Sequence, residues 1–232
     1  MAASPFTPKT LAFLRALKRN NDREWFRARK DEYEQHVRGP LTELIARLAV
    51  DMKTFAPELV AEPKTSLYRI YRDTRFSEDK TPLKTNAAAI FPPRGFPRHE
   101  GAGLYVEIAP GWTWLGGGLY MPPSSALAAI REQIATTHPK LHRLVTTPAF
   151  KAVVGELQGA RLTRVPRGYV KDHPAAPYLQ FKQFLGFREF KPEFALSAQF
   201  YPELLKTFKA MTPLIRFLND AIRTSPPKPF AF

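Results

Sequence analysis

The chain has 232 residues, of which 44% are hydrophobic, and it contains no cysteine. This length supports one substantial core and is short for two independent cores. The absence of cysteine excludes disulfides, thiolate catalysis and cysteine-ligated metal sites, and with no apolar stretch of membrane-spanning length we expect a soluble, cytoplasmic protein.

The formal net charge of +14 is unevenly distributed along the chain. Residues 1–65 hold twelve basic and nine acidic side chains, the mixed composition typical of solvated helices. Residues 66–100 and 161–191 contribute +3 and +5, so these two distant segments hold +8 of the total. If the fold brings them together, they form a positive cleft that attracts phosphate, nucleic acid or other anions.

Residues 1–57 are predicted to form an N-terminal helical part. Thr7-Pro8 is a typical helix start, and leucines follow it at helical spacing. A second helix is predicted from Asp22, which can cap it, to the Gly39-Pro40 pair, which should end it. A third helix is expected from Pro40 to about residue 55.

Short β-like runs follow over residues 66–71, 84–91, 103–109 and 112–120. The last two flank Pro110-Gly111 and predict a hairpin, so residues 64–121 are expected to form an antiparallel meander. A mixed helical part is predicted over residues 122–223. It comprises helices at 124–138, 139–146 and 148–157, a β-like pair at 160–165 and 183–190, and helical periodicity at 197–222. Residues 224–232 read as an extended Pro-rich tail.

Strands grouped between helices favour a single α+β domain over a βαβ winding. We therefore expect a central, mainly antiparallel sheet flanked by N-terminal and C-terminal helices. The sequence shows no internal repeat, and no linker is long or polar enough to require a domain boundary.

The most informative segment is residues 69–83, and together with Lys84, which follows it, this segment is called the arginine loop below. It holds five cations against three acids, and closely spaced cations repel unless carboxylates or a bound anion neutralise them. The residues predicted to bind an anionic ligand here are Arg69, Arg72, Arg75, Lys80 and Lys84. Asp73 is expected to hold a guanidinium in place, and Asp79 either to orient Lys80 or to act as a general base. If the protein catalyses a reaction, Asp73 or Asp79 is the candidate catalytic base. The alternative is a structural ion-pair network that fixes a loop to the sheet.

The arginine loop resembles the defining block of an uncharacterised bacterial family of proteins of about this length, a domain of unknown function (number 2461). The residues that carry the resemblance are Arg69, Arg72, Asp73, Arg75, Phe76, Asp79 and Lys80. Leu83 departs from the family pattern, which has tyrosine there, so a phenol at this place is not required. Blocks at residues 20–26, 116–120 and 164–169 extend the resemblance over the whole chain. The resemblance implies a fold and no particular activity.

The second basic segment provides two further candidate ligand-binding residues, Arg164 and Arg167. Pro166-Arg167-Gly168 is predicted to be a turn that presents Arg167 and backbone N–H groups outward. Asp172-His173 has two interpretations, an oriented proton-transfer pair or a histidine in an exposed loop, and the second is favoured.

Weaker candidates lie in the sheet and in the helix that follows it. Gly116-Gly117-Gly118 lacks phosphate-loop spacing, so a bulge or a close strand crossing is favoured over ligand binding. The aromatic residues of the predicted hairpin alternate along its strands, and for them core packing is favoured over stacking on bases or sugars. They are Tyr105, Trp112, Trp114 and Tyr120. His138 and His142 are separated by a proline without a zinc-protease glutamate, so we predict no metal site and no cofactor.

The sequence thus predicts a protein whose basic cleft binds a phosphorylated or other anionic small ligand. A reaction at a phosphoryl or acyl centre is compatible with this cleft, because arginines stabilise developing negative charge. The alternatives are nucleic-acid binding and a basic scaffold for an acidic protein partner. The sequence leaves oligomeric state open.

Overall fold

In the computed structural model, residues 4–75 and 77–224 are described. Phe76, the predicted anchor of the arginine loop, and the predicted tail beyond residue 224 lie outside this part of the chain.

The N-terminal elements are helical. They are α1 (Pro8–Arg19), α2 (Arg23–Arg27), α3 (Lys30–Tyr33), a π-helical turn (Glu34–Arg38), α4 (Gly39–Asp51), a 3-10 turn (Met52–Thr54) and α5 (Pro63–Ser66). Three strands then follow, β1 (Ala87–Phe91), β2 (Gly103–Ile108) and β3 (Thr113–Leu119). The remaining elements are α6 (Ser124–Thr146), α7 (Pro148–Val154), α8 (Ala176–Leu179), β4 (Phe184–Phe190), a 3-10 turn (Pro192–Leu196) and α9 (Phe200–Thr224).

The four strands form one antiparallel sheet in the order β1-β2-β3-β4. The predicted hairpin is confirmed, because Ala109 N–H donates to the Trp112 carbonyl at 2.9 Å across the turn that joins β2 to β3. Leu104, Val106 and Ile108 are fully buried. Helices lie at both ends of the chain. The predicted α+β class, with a sheet flanked by N-terminal and C-terminal helices, is therefore confirmed.

The described residues divide into two compact units. The first comprises residues 4–91, Tyr105–Leu115 and Glu189–Leu205, and the second comprises Pro92–Leu104, Gly116–Arg188 and residues 206–224. The single-domain organisation and its internal boundaries stay a prediction.

The first unit is built around the leucine faces of α1 and α4, where Leu14, Leu17, Leu44 and Leu48 are fully buried. Helix α2 begins where predicted, because the Asp22 carboxylate accepts the N–H groups of Glu24 and Trp25 at 2.7 and 2.9 Å. Such a cap satisfies donors that a helix start leaves unpaired.

The prediction that Gly39-Pro40 ends a helix is wrong, because the chain stays helical through Gly39 into α4. Pro40 has no N–H to donate to the His36 carbonyl four residues earlier. That carbonyl instead accepts the buried Thr10 hydroxyl of α1 at 2.7 Å. The π-helical turn, together with this outside donor, lets the helical path continue past proline.

Two predicted strands are also wrong. Residues 66–71 contain the end of α5 followed by two isolated bridges, Leu67 with Ala89 and Tyr71 with Leu83. The buried Ser66 hydroxyl favours the helical turn, because it accepts from Glu62 N–H and donates to the Val60 carbonyl, both at 3.2 Å. Residues 160–165 hold one bridge, Arg161 with Phe181.

Close strand packing explains the glycine run. A Cβ on Gly117 would lie 2.5 Å from the Gly103 carbonyl oxygen, and one on Gly118 would overlap the Phe184 carbonyl. Gly118 also has a φ of +132°, which side-chain-bearing residues rarely adopt. The structure therefore supports a close strand crossing here.

Candidate functional site

The arginine loop lies in the first unit, and its two ends are paired with each other through the backbone. Lys84 N–H donates to the Ile70 carbonyl at 2.8 Å, and Arg72 N–H donates to the Pro82 carbonyl at 2.9 Å. These bonds join the two ends of the loop, so residues 73–75 and 77–81 project from a hairpin-like base.

Asn21 clamps the base of the loop. Its Nδ2 donates to the Leu83 carbonyl at 2.9 Å, and its Oδ1 accepts the Leu83 N–H at 3.0 Å. Tyr71 and Leu83 face each other between the two backbone bonds, so the Leu83 amide and carbonyl point away from Tyr71. The Asn21 side chain thus forms the two hydrogen bonds with the backbone of the buried Leu83 that a neighbouring strand would otherwise form. Sequence reasoning placed Asn21 in a family block and assigned it no role.

Arg72 is held inside the loop by three side chains. Its Nη1 donates to the Asp79 carboxylate and, at 2.6 Å, to the Thr81 hydroxyl, while its Nη2 contacts the Ser77 hydroxyl at 3.4 Å. The guanidinium hydrogen bond, followed by the Thr81 N–H and hydroxyl, lowers the pKa of Asp79 to about 2. Asp79 therefore pairs with Arg72, and the prediction that it orients Lys80 is wrong.

Arg75 forms a two-point pair with Asp73. Its Nε and Nη2 donate to the two carboxylate oxygens at 3.0 and 2.8 Å, the arrangement expected for Asp73. This pairing, with a smaller contribution from the charge of Arg69, lowers the pKa of Asp73 to about 2. The Arg75 side chain is 77% exposed, so solvent screens the pair and it adds little to stability.

Arg69 and Lys80 differ from these paired arginines. Both are exposed, and neither side chain pairs with a carboxylate of the described residues. Lys80 Nζ donates to the Thr74 carbonyl at 3.1 Å. Arg69 forms no hydrogen bond within residues 4–75 and 77–224, although its charge acts on Asp73. Asp79 and Asp73 pair with Arg72 and Arg75, and Arg69 and Lys80 have no carboxylate partner among the described residues.

Lys84 lies beside an aromatic and acidic cluster at the edge of the loop. Its Nζ is 4.6 Å from the centre of the Tyr68 ring, which meets Tyr105 edge-on at 6.2 Å. The buried Glu107 accepts the Tyr105 hydroxyl at 2.6 Å and the Trp112 indole N–H at 3.0 Å. Burial and the neighbouring Glu107 charge raise the pKa of Tyr105. Sequence reasoning favoured core packing for Tyr105 and Trp112 and assigned no role to Glu107, although Glu107 is the one acid in an otherwise uncharged strand.

The second basic segment belongs to the second unit, where Arg164 and Arg167 are exposed. The predicted turn is present, with Gly168 at a φ of +92°. Arg161 stacks on the Phe181 ring, its Cζ 4.2 Å from the ring centre. A cleft shared by the two basic segments stays a prediction.

The histidines of the second unit make local contacts. His173 Nδ1 accepts the Ala175 N–H at 3.0 Å, and His142 Nδ1 lies 2.7 Å from the Tyr178 hydroxyl. Asp172 is exposed. The described residues contain no group of three or more histidine, aspartate or glutamate side chains placed to hold a metal ion.

These features define an α+β protein with an antiparallel four-stranded sheet and a loop of arginine–aspartate pairs. Within the described part of the chain, no helix combines the length and apolar character needed to cross a membrane. Residues 9–217 match the model of the family described as conserved hypothetical protein (DUF2461), and the chain belongs to that family. The search of curated proteins gave no match, and neither did the search of solved structures.

Proposed function

We propose that the arginine loop binds a phosphorylated or other anionic small ligand. The observation that carries this proposal is the incomplete neutralisation of the loop, in which Arg69 and Lys80 keep exposed charges without carboxylate partners among the described residues. An arginine offers a planar fork of donors to an oxyanion, and a lysine adds a compact charge with rotatable donors. The two cations therefore suit phosphate or carboxylate groups.

The paired arginines have a different role in this proposal. Asp79 and Asp73 orient the guanidinium groups of Arg72 and Arg75 before a ligand arrives. Because the pKa values of both carboxyls are lowered to about 2, both are weak bases near neutral pH. We propose them as positioning residues. Their catalytic role, and a reaction at a phosphoryl or acyl centre, stay predictions.

The other predicted site residues lie outside the pair formed by Arg69 and Lys80. Lys84 lies against the Tyr68 ring at one end of the loop and extends the positive charge toward the sheet. Arg164 and Arg167 stay predicted ligand contacts of the second unit. We also propose a cytoplasmic location, on the lack of cysteine.

A thermal-shift screen tests the proposal. Inorganic phosphate, pyrophosphate, nucleotides and sugar phosphates are compared on wild type, Arg69→Ala and Lys80→Ala. A ligand that binds only the folded protein raises its melting temperature, so we expect at least one small anion to do so in wild type and much less in both variants. Identical responses of all three proteins to every compound would refute the proposal.

An oligonucleotide arm distinguishes the alternative of nucleic-acid binding. Counterion release makes such binding weaken steeply as salt rises. A shift with oligonucleotides and none with any small anion, lost at moderate salt, would replace our proposal with that alternative.

A further inference from the structure

A pocket of about 460 Å³ lies among the N-terminal helices of the first unit. Ala12 and Ala16 of α1 line it, and Phe13 and Trp25 supply aromatic surface. The alanines are one helical turn apart, and their small side chains leave room beside the helix. The volume is within the range of small-molecule sites.

Trp25 is the largest aromatic group in the pocket. It is partly exposed, and its ring is 5.8 Å from the buried Phe13 ring at an angle of 48°. The Arg29 guanidinium lies 4.6 Å from the centre of the Trp25 ring. A flat apolar molecule can pack on such a surface, because aromatic rings bury a large area and have few rotamers to lose.

The polar lining is predominantly basic. It consists of Lys9, Arg29 and His36 with one acid, Glu32. None of the four forms an ion pair with another described side chain, although Arg29 Nη1 contacts the Trp25 carbonyl at 3.5 Å. Two permanent cations against one carboxylate favour a ligand with a single negative group. His36 belongs to the π-helical turn, an irregularity frequent at functional sites.

We propose that this pocket binds a small planar anion of the aromatic carboxylate class. The ring system packs on the exposed part of Trp25, and the carboxylate pairs with Lys9 and Arg29. This site is separate from the arginine loop and goes beyond the function proposed above, since none of its lining residues belongs to that loop.

Isothermal titration of the full chain with naphthoate and with its neutral amide, naphthamide, tests the site. We expect naphthoate to bind at least tenfold more tightly than naphthamide, because only the carboxylate forms charge-assisted hydrogen bonds. Arg29→Gln should weaken naphthoate at least tenfold. Ala12→Trp should abolish binding by filling the pocket, and since Ala12 is exposed on α1 this variant spares the core. Lys18→Gln, a cation of the same helix outside the pocket, should leave the affinity unchanged.

Four outcomes would overturn the proposal. They are no heat with wild type at millimolar naphthoate, equal affinity for naphthoate and naphthamide, unchanged binding in Ala12→Trp, and unchanged binding in Arg29→Gln. Arg69→Ala separates this site from the arginine loop. It should retain full naphthoate affinity, and loss of binding in that variant would assign the ligand to the loop.

Discussion

Removal of the Asn21 clamp should destabilise the protein strongly. Asn21→Ala deletes the donor and the acceptor that serve Leu83, which is 1% exposed. Leu83 is buried in the folded protein, so its amide and its carbonyl lose their protein partners when the Asn21 side chain is removed. Each such group costs roughly 1–3 kcal/mol, and we expect the free energy of unfolding to fall by about 3 kcal/mol.

Thermal unfolding followed by circular dichroism measures this loss. For a chain of this size, about 1 kcal/mol corresponds to a melting shift of roughly 2–4 °C, so Asn21→Ala should melt roughly 6–12 °C below wild type. Asn20→Ala is the matched control, because the exposed Asn20 donates one bond to the Ala16 carbonyl at 2.9 Å in the same region. Equal melting temperatures for the two variants would refute the clamp.

Three further predictions concern the sheet and the arginine loop. Glu107→Ala removes the acceptor of the Tyr105 hydroxyl and the Trp112 indole N–H, so it should lower the free energy of unfolding by about 2–4 kcal/mol. Urea denaturation measures this loss, and unchanged stability would contradict the buried network. Gly117→Ala should lower the free energy of unfolding by about 2 kcal/mol or more, because the added Cβ meets backbone atoms of the neighbouring strand. Gly111→Ala is the control, since no atom lies near its added Cβ, and it should leave the stability unchanged. Equal losses of stability in the two variants would contradict the close strand crossing. Because the pKa of Asp73 is lowered from 3.8 to about 2 in the folded state, its pair with Arg75 stabilises above about pH 4 and is lost as pH falls through about 2. Carboxyl carbon NMR should find that midpoint in wild type and one nearer 3.8 in Arg75→Gln, and an unchanged midpoint in the variant would exclude the pair as the cause.

The fold class was predictable because it rests on local signals. Thr7-Pro8 and the Asp22 cap act within a few residues, and the Pro110-Gly111 turn fixes its hairpin in the same way. The error at Gly39-Pro40 has a non-local cause. A hydroxyl from α1, 26 positions from His36 in the chain, provides the bond that proline cannot, and no local pattern indicates it.

The sequence indicated which residues make up the candidate site better than it indicated which of them pair with each other. The neighbouring pair of Asp73 and Arg75 follows from sequence proximity. The choice of Arg72 over Lys80 as the partner of Asp79 depends on loop closure, which brings residues 72 and 79 together. The Asn21 clamp spans 62 positions and has no sequence signal other than the side chain's two-sided amide.

Arg69 and Lys80 of the arginine loop are proposed to bind an anion. Isothermal titration with the small anion that gives the largest thermal shift tests it most directly, on wild type, on the double variant Arg69→Gln/Lys80→Gln and on Arg23→Gln, which changes an exposed arginine of α2. We predict at least tenfold weaker binding in the double variant and an unchanged dissociation constant in Arg23→Gln. The same dissociation constant in all three proteins would contradict the claim.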